Sequence, residues 1–202
     1  MTPPSSWPDA HGPLILDASA VINLNGSGAA RAILEALEGP VVVAEGVIGE
    51  LERGIANGRR DAELLHDLVA AGLVGRQDLG QVGLQIFERL TIGSSAETLE
   101  DGEAASIGLA LEIGGVAVID ETKGRRLAAL TAPAVPLLGS IDLFCHLRVR
   151  RALGNDLADV VFRALQQARM QVLVTHHDWV ASLVGPERLK LCDSLPRSIR
   201  GG

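Results

Sequence analysis

Three aspartates stand just beyond short apolar runs. Asp17 directly follows Leu14-Ile15-Leu16, Asp120 directly follows Val116-Ala117-Val118-Ile119, and Asp142 comes shortly after the run that ends at Leu138. An apolar strand end needs no carboxylate for its packing. Carboxylates gathered in one place are unfavourable unless a cation or a proton compensates them. A set of oxygen ligands suits hard divalent ions, so the chemistry these residues point to is a Mg²⁺ or Mn²⁺ centre. Glu50, Glu103 and Glu121 are the further acids within reach of such a centre. Two of them have a second reading: Glu103 sits where a helix dipole favours an acid without any function, and Glu121 is either a ligand or a solvated neighbour of Asp120. Asp101 reads as an N-cap and not as a ligand.

The elements that must position these residues are short strands alternating with helices. Strands are expected at 14–16, 41–44, 116–119 and 134–138, with a minor edge strand over 73–78. Helices are expected from Asp17 to about Glu38, then over 47–56, 61–71, 81–90, 101–113, the KGRRLAAL segment, 141–153 and 156–170, with two short pieces after that. Gly39-Pro40 and Gly114-Gly115 supply stop signals. Nearly uniform apolar strands between helices imply a parallel sheet covered on both faces. In such sheets ligands sit beyond the carboxyl ends of the strands, the edge to which Asp17, Asp120 and Asp142 are delivered. The expected fold class is α/β: a small parallel sheet of four to five strands flanked by helices, with a helical C-terminal extension. The expected organisation is a flexible arm over 1–13, an α/β domain over 14–153 and the extension over 154–202.

Composition narrows the function. The 202 residues are 47% hydrophobic and 21% charged, an ordinary globular balance, and only 2% aromatic. So few rings argue against an aromatic platform for single-stranded nucleic acid. The net charge of −7 means that any phosphate contact must come from a local basic patch or from bound metal. Lys123, Arg125 and Arg126 form one basic turn directly after Asp120, suited to a phosphate backbone or to a plain solvated helix face. Arg148, Arg150 and Arg151 form another basic group. Cys145 and Cys192 have no CxxC spacing and read as buried small hydrophobes. His176 and His177 lack a partnering His or Cys cluster and read as structural. The N-terminus has neither the basic start nor the apolar stretch of a secretory signal, and no window is long enough to cross a bilayer, so a cytoplasmic protein is expected.

The motifs, taken in order, resemble those of the PIN-domain family, and most closely its VapC-like branch, which includes toxins of bacterial toxin–antitoxin pairs. LILDASAVINL is similar to the opening motif, with Asp17 as the first acid and Ser19 two residues later. VIGELERG resembles the second motif and makes Glu50 its acid. LEDGEAASIGLALE resembles the third, with Glu103. VAVIDETKGRRLA resembles the fourth, with Asp120, and LLGSIDLF resembles the following strand end, with Gly139 and Ser140. Order and spacing agree from about Leu14 to Arg151. Two departures stand out: Asp142 occupies a place where a neutral or small residue is usual, and the tail is longer than a minimal domain of this kind needs.

The resemblance implies a Mg²⁺- or Mn²⁺-dependent ribonuclease that hydrolyses RNA phosphodiester bonds without a covalent enzyme intermediate. It implies Asp17, Glu50, Glu103 and Asp120 as the acidic cluster. The metal ligands would be Asp17, Glu103 and Asp120, with Asp142 and Glu121 as additional candidates. Ser19, Asn23 and Ser140 would support the carboxylates or a bound water, although Ser19 reads equally as a helix cap. Lys123, Arg125 and Arg126 would meet RNA. An antitoxin protein and a second copy of the chain are candidate partners. The alternatives are a PIN-like scaffold that recruits a partner without cutting, and a housekeeping RNA-processing nuclease. A haloacid-dehalogenase-type phosphatase is disfavoured because Ser19 stands where its second Asp would be, and no GxxxxGK[ST] loop is present.

Overall fold

The apolar runs become strands and the amphipathic stretches become helices largely where expected. The computed structural model describes residues 2–4, 7–8, 12–95 and 97–200. The strands are β1 (Leu14–Leu16), β2 (Val41–Ala44), β3 (Gly75–Gln77), β4 (Val116–Val118) and β5 (Leu137–Leu138). The helices are α1 (Ala18–Ser27), α2 (Ala30–Ala36), α3 (Glu45–Ile55), α4 (Asp61–Ala70), α5 (Gln81–Thr91), α6 (Asp101–Ile113), α7 (Thr122–Thr131), α8 (Ser140–Cys145), α9 (Leu147–Leu153), α10 (Leu157–Gln167), α11 (His177–Val184) and α12 (Pro186–Leu189). Of the arm expected over 1–13, the described residues lie in no helix or strand, and the others lie outside the described residues. No described helix is long and apolar enough to cross a membrane.

The five strands form one parallel sheet in the order β3-β2-β1-β4-β5. Leu14 is paired with Val41 on one side and with Val116 on the other, and Val118 with Leu138. Pro136 has no N–H to give, so β5 begins only after it, shorter than the apolar run suggests. Three expected helices also differ. The helix over 17–38 breaks into α1 and α2 at Gly28, whose φ of 69° is left-handed. The helix over 141–153 breaks at His146, which is extended with ψ 133°. Glu100, not Asp101, is the N-cap residue of α6, so Asp101 is its first helical residue.

The chain divides into two compact units. The sheet unit holds residues 12–21 and 39–138, with all five strands and α3 to α7. Its core is aliphatic, with Ile15, Val43, Ile107, Leu109, Ile119 and Leu138 fully buried. Every residue of α6 from Gly102 to Ala110 is buried, as expected of a helix apolar on all sides. Near the end of α6 the Glu112 carboxylate accepts the N–H groups of Gly80 (2.8 Å) and Gly83 (3.0 Å), capping the start of α5.

The helical unit holds residues 22–38 and 139–200, with Thr2–Pro4 and Trp7. The helices from 154 onward, read from the sequence as an extension, pack in the same unit as 139–153. Leu157, Val160, Val161, Ala164 and Leu165 give α10 one buried stripe. The Arg163 guanidinium donates to Ser27 O at 2.7 Å, holding α10 to the end of α1.

Candidate functional site

Within the sheet unit, the order β3-β2-β1-β4-β5 means that the chain builds outward from β1 in one direction and then resumes on its other side with β4. The crevice beyond the carboxyl ends of β1 and β4 is the topological switch point, where open parallel sheets bind ligands. Asp17 follows β1 directly and Asp120 stands two residues past β4. Both are buried, at 3% and 5% exposure. The α3 helix brings Glu50 to the same place, and the first turn of α6 brings Glu103. A pocket of about 50 Å³ is lined by Asp17, Ser19, Glu50, Glu100, Glu103 and Glu121.

Each carboxylate is held by its own local structure. Asp17 accepts the Ala20 N–H at 2.6 Å, an N-cap bond to α1, and the Ser19 hydroxyl lies 2.8 and 3.0 Å from its two oxygens. Ser19 is therefore not the helix cap: Asp17 caps α1, and Ser19, in the capped turn, donates to the Asp17 carboxylate. The Gly102 backbone N–H faces Glu50 and favours its charged form. A Cβ at position 102 would run into Glu50 Oε2, and a Cβ at position 124 would run into Glu103 Oε1. Ser106 donates to Gly102 O at 2.9 Å, with Leu16 O at 3.4 Å, beside the end of β1.

Burial and mutual repulsion dominate the electrostatics. Burial holds the Asp17 carboxyl well above the usual carboxylate range. The charge of Asp120 raises it further, and the Ala20 and Ser19 hydrogen bonds offset only part of the rise. Burial and the charge of Glu121 push Glu103 up to about 7, with Lys123 opposing. Glu50 is also raised, by burial and then by Glu100. One oxygen of Glu103, Oε1, is buried with no hydrogen-bond partner.

These features fit a hard cation: the donors are all oxygens, burial and mutual repulsion raise their carboxyls, and one of them is an orphaned buried acceptor. Among the described residues no three His, Cys, Asp or Glu side chains are already drawn to one coordinating point. Crowded carboxylates repel one another, so an ion would have to draw them together.

A family profile described as a PIN domain matches residues 13–184, most of the chain. The chain belongs to the PIN-domain family. PIN domains are generally nucleases, hydrolases by class. No curated protein and no solved structure gives a significant match to the chain.

In this PIN domain the remaining candidates have definite surroundings. Ser140 and Asn23 lie in the helical unit, where Asn23 Nδ2 donates to Ser140 Oγ at 3.2 Å. Asp142 is in the same unit and is heavily engaged. Its Oδ2 accepts the Gly139 N–H at 2.7 Å, and its Oδ1 lies 2.9 Å from Nε2 of the fully buried His176. In the sheet unit, Lys123 donates to Ser95 O at 2.8 Å. Arg125 reaches both Ile119 O and Leu138 O at 3.0 Å, tying the ends of β4 and β5, and Arg126 is exposed. The sequence reading did not single out Glu100, Gly102, Ser106 or Gly124. A legible signal existed for the two glycines: each sits inside a helix, where glycine is a poorer helix former than alanine and so needs a reason to be there.

Proposed function

We propose that this PIN domain is a metal-dependent ribonuclease of the VapC-like toxin type, hydrolysing RNA phosphodiester bonds. The observation that carries the reading is the crowding of buried acids at the switch point, with Asp17 and Glu103 both raised and Glu103 Oε1 unpartnered. Asp17, Glu103 and Asp120 would hold Mg²⁺ or Mn²⁺, with Glu50 and Glu121 beside them. When bound, the ion would lower the pKa of water and neutralise charge developing on the phosphate. Ser19 and the Ala20 N–H fix the orientation of Asp17. Gly102 and Gly124 leave the space that Glu50 and Glu103 need. Lys123, Arg125 and Arg126 supply positive charge beyond Asp120 for the RNA backbone. Asp142, shared between Gly139 and His176, braces the segment after β5, with Asn23 and Ser140 as the neighbouring polar pair.

The toxin reading is supported by the likeness of the LILDASAVINL and VAVIDETKGRRLA motifs to the VapC-like branch. It brings with it an antitoxin protein as partner, a homodimer as the assembly and the cytoplasm as the location. The direct test is digestion of a single-stranded RNA, and of a DNA of the same sequence, by purified protein with Mn²⁺. The proposal expects the RNA alone to be cut, and a Glu103→Gln variant to lose the activity. Equal cutting by Glu103→Gln, or no cutting of any RNA by the parent protein, would overturn it.

A further inference from the structure

Charge is unevenly distributed along the chain. Residues 139–202 carry nine Lys/Arg against six Asp/Glu, whereas residues 1–138 carry nine against nineteen. Most cations of the C-terminal segment are already committed. Arg148 pairs with Glu38, Arg188 with Asp159, Lys190 with Glu187 and Arg200 with Asp193, while Arg163 holds Ser27 O. Arg169 makes no ion pair among the described residues. It lines a pocket of about 440 Å³ in the helical unit together with Gln171, Val174, His177 and Ser194. That volume lies in the range of small-molecule sites. No carboxylate lines the pocket, and the adjacent Asp193 is taken up by Arg200 at 3.0 Å.

The backbone at Arg169 is unusual as well. With φ 57° it is the one non-glycine residue in the left-handed region among those described. It stands just past the end of α10, at a position that glycine ordinarily fills. The left-handed turn lets the Met170 N–H return to Ala164 O at 3.1 Å and buries the Met170 side chain. The turn accounts for the conformation and not for the arginine, because glycine would make the same turn without a Cβ penalty. What arginine adds is a cationic side chain at a residue that lines the pocket.

We propose that this pocket is a subsite for one phosphate and one nucleoside of an RNA strand. The Arg169 guanidinium takes the phosphate. Gln171 offers hydrogen bonds to sugar or phosphate oxygens, and Ser194 Oγ, whose hydrogen goes to Leu165 O, can accept one from a sugar hydroxyl. The strongly exposed Val174 and the His177 ring, fixed by its 3.2 Å contact with Val172 O, give a base an apolar and stacking face. The proposal rests on the ribonuclease reading above and adds a place where substrate is held.

Its test exploits the strain. In a full-length Asp17→Asn background, binding of a labelled single-stranded RNA is measured by fluorescence anisotropy across a salt series, with and without Arg169→Gly. Thermal midpoints are measured in parallel. The expected result is an affinity loss of about tenfold and a log-affinity against log-salt slope flatter by about one unit. The thermal midpoint should stay unchanged or rise, since glycine relieves the left-handed backbone. Unchanged RNA affinity in Arg169→Gly would make the residue a helix cap and overturn the subsite, leaving the ribonuclease reading intact. Absence of RNA binding before any change at position 169 would overturn the subsite and the ribonuclease reading together.

Discussion

The Glu103 carboxyl group fills the space that a side chain at position 124 would need, so Gly124 on α7 and Glu103 on α6 form a matched pair. Gly124 is helical with an ordinary φ, and alanine there should favour α7 by up to about 1 kcal/mol. Gly124→Ala is therefore expected to keep the fold and thermal midpoint while displacing Glu103 and lowering RNA cleavage by at least about tenfold. Circular dichroism and a cleavage assay on the same sample check it. A variant that cleaves normally would mean that the position of Glu103 does not matter.

Raised carboxyls tie stability to pH. Asp17 lies well above its ordinary range and Glu103 near 7, so between the unfolded and folded values the native protein holds more protons than the unfolded chain. Stability must then fall as pH rises through that window. Metal-free protein is expected to melt at a higher temperature at pH 5 than at pH 8, and saturating Mn²⁺ should raise the pH 8 midpoint by binding the folded state alone. Glu103→Gln should shrink both effects. Scanning calorimetry at the two pH values, with and without Mn²⁺, checks this. A midpoint insensitive to Mn²⁺ in the parent protein would count against an ion at this site.

The basic turn divides into two roles. Arg125 ties the carbonyls that end β4 and β5, so Arg125→Glu should cost about 1.5–3 kcal/mol of stability, in line with hydrogen bonds to a charged group. Arg126 is exposed, so Arg126→Glu should weaken RNA binding and its salt dependence. Chemical denaturation and salt-series binding separate the two. The assignment fails if Arg125→Glu melts like the parent, or if Arg126→Glu binds RNA as the parent does.

How much of this was legible in the sequence follows the range of each interaction. Asp17 and Asp120 could be read because each follows its own apolar run, and the turn around Asp17 is local, running from 17 to 20. The break at Gly28 and the shift of the α6 N-cap from Asp101 to Glu100 were missed because neighbouring residues could equally have served. The roles of Gly102 and Gly124 arise only when separate helices meet, α3 with α6 and α6 with α7. The engagement of Asp142 by His176 spans 34 positions, and no local pattern at either residue announces it. Arg125 looked like a free cation because its partners are backbone carbonyls, which composition never shows.

The central claim is that the acids at the ends of β1 and β4 make a divalent-metal nuclease centre. The most direct measurement is RNA cleavage by purified protein with Mg²⁺ or Mn²⁺, with excess EDTA, and with Asp17→Asn in place of the parent. The substitution keeps the shape of the side chain and leaves one oxygen to accept the Ala20 N–H, but removes a buried charge. The account predicts cleavage only with metal and only by the parent, with the Asn variant folded and at least as heat-stable. Full cleavage in excess chelator, or by folded Asp17→Asn, would contradict it.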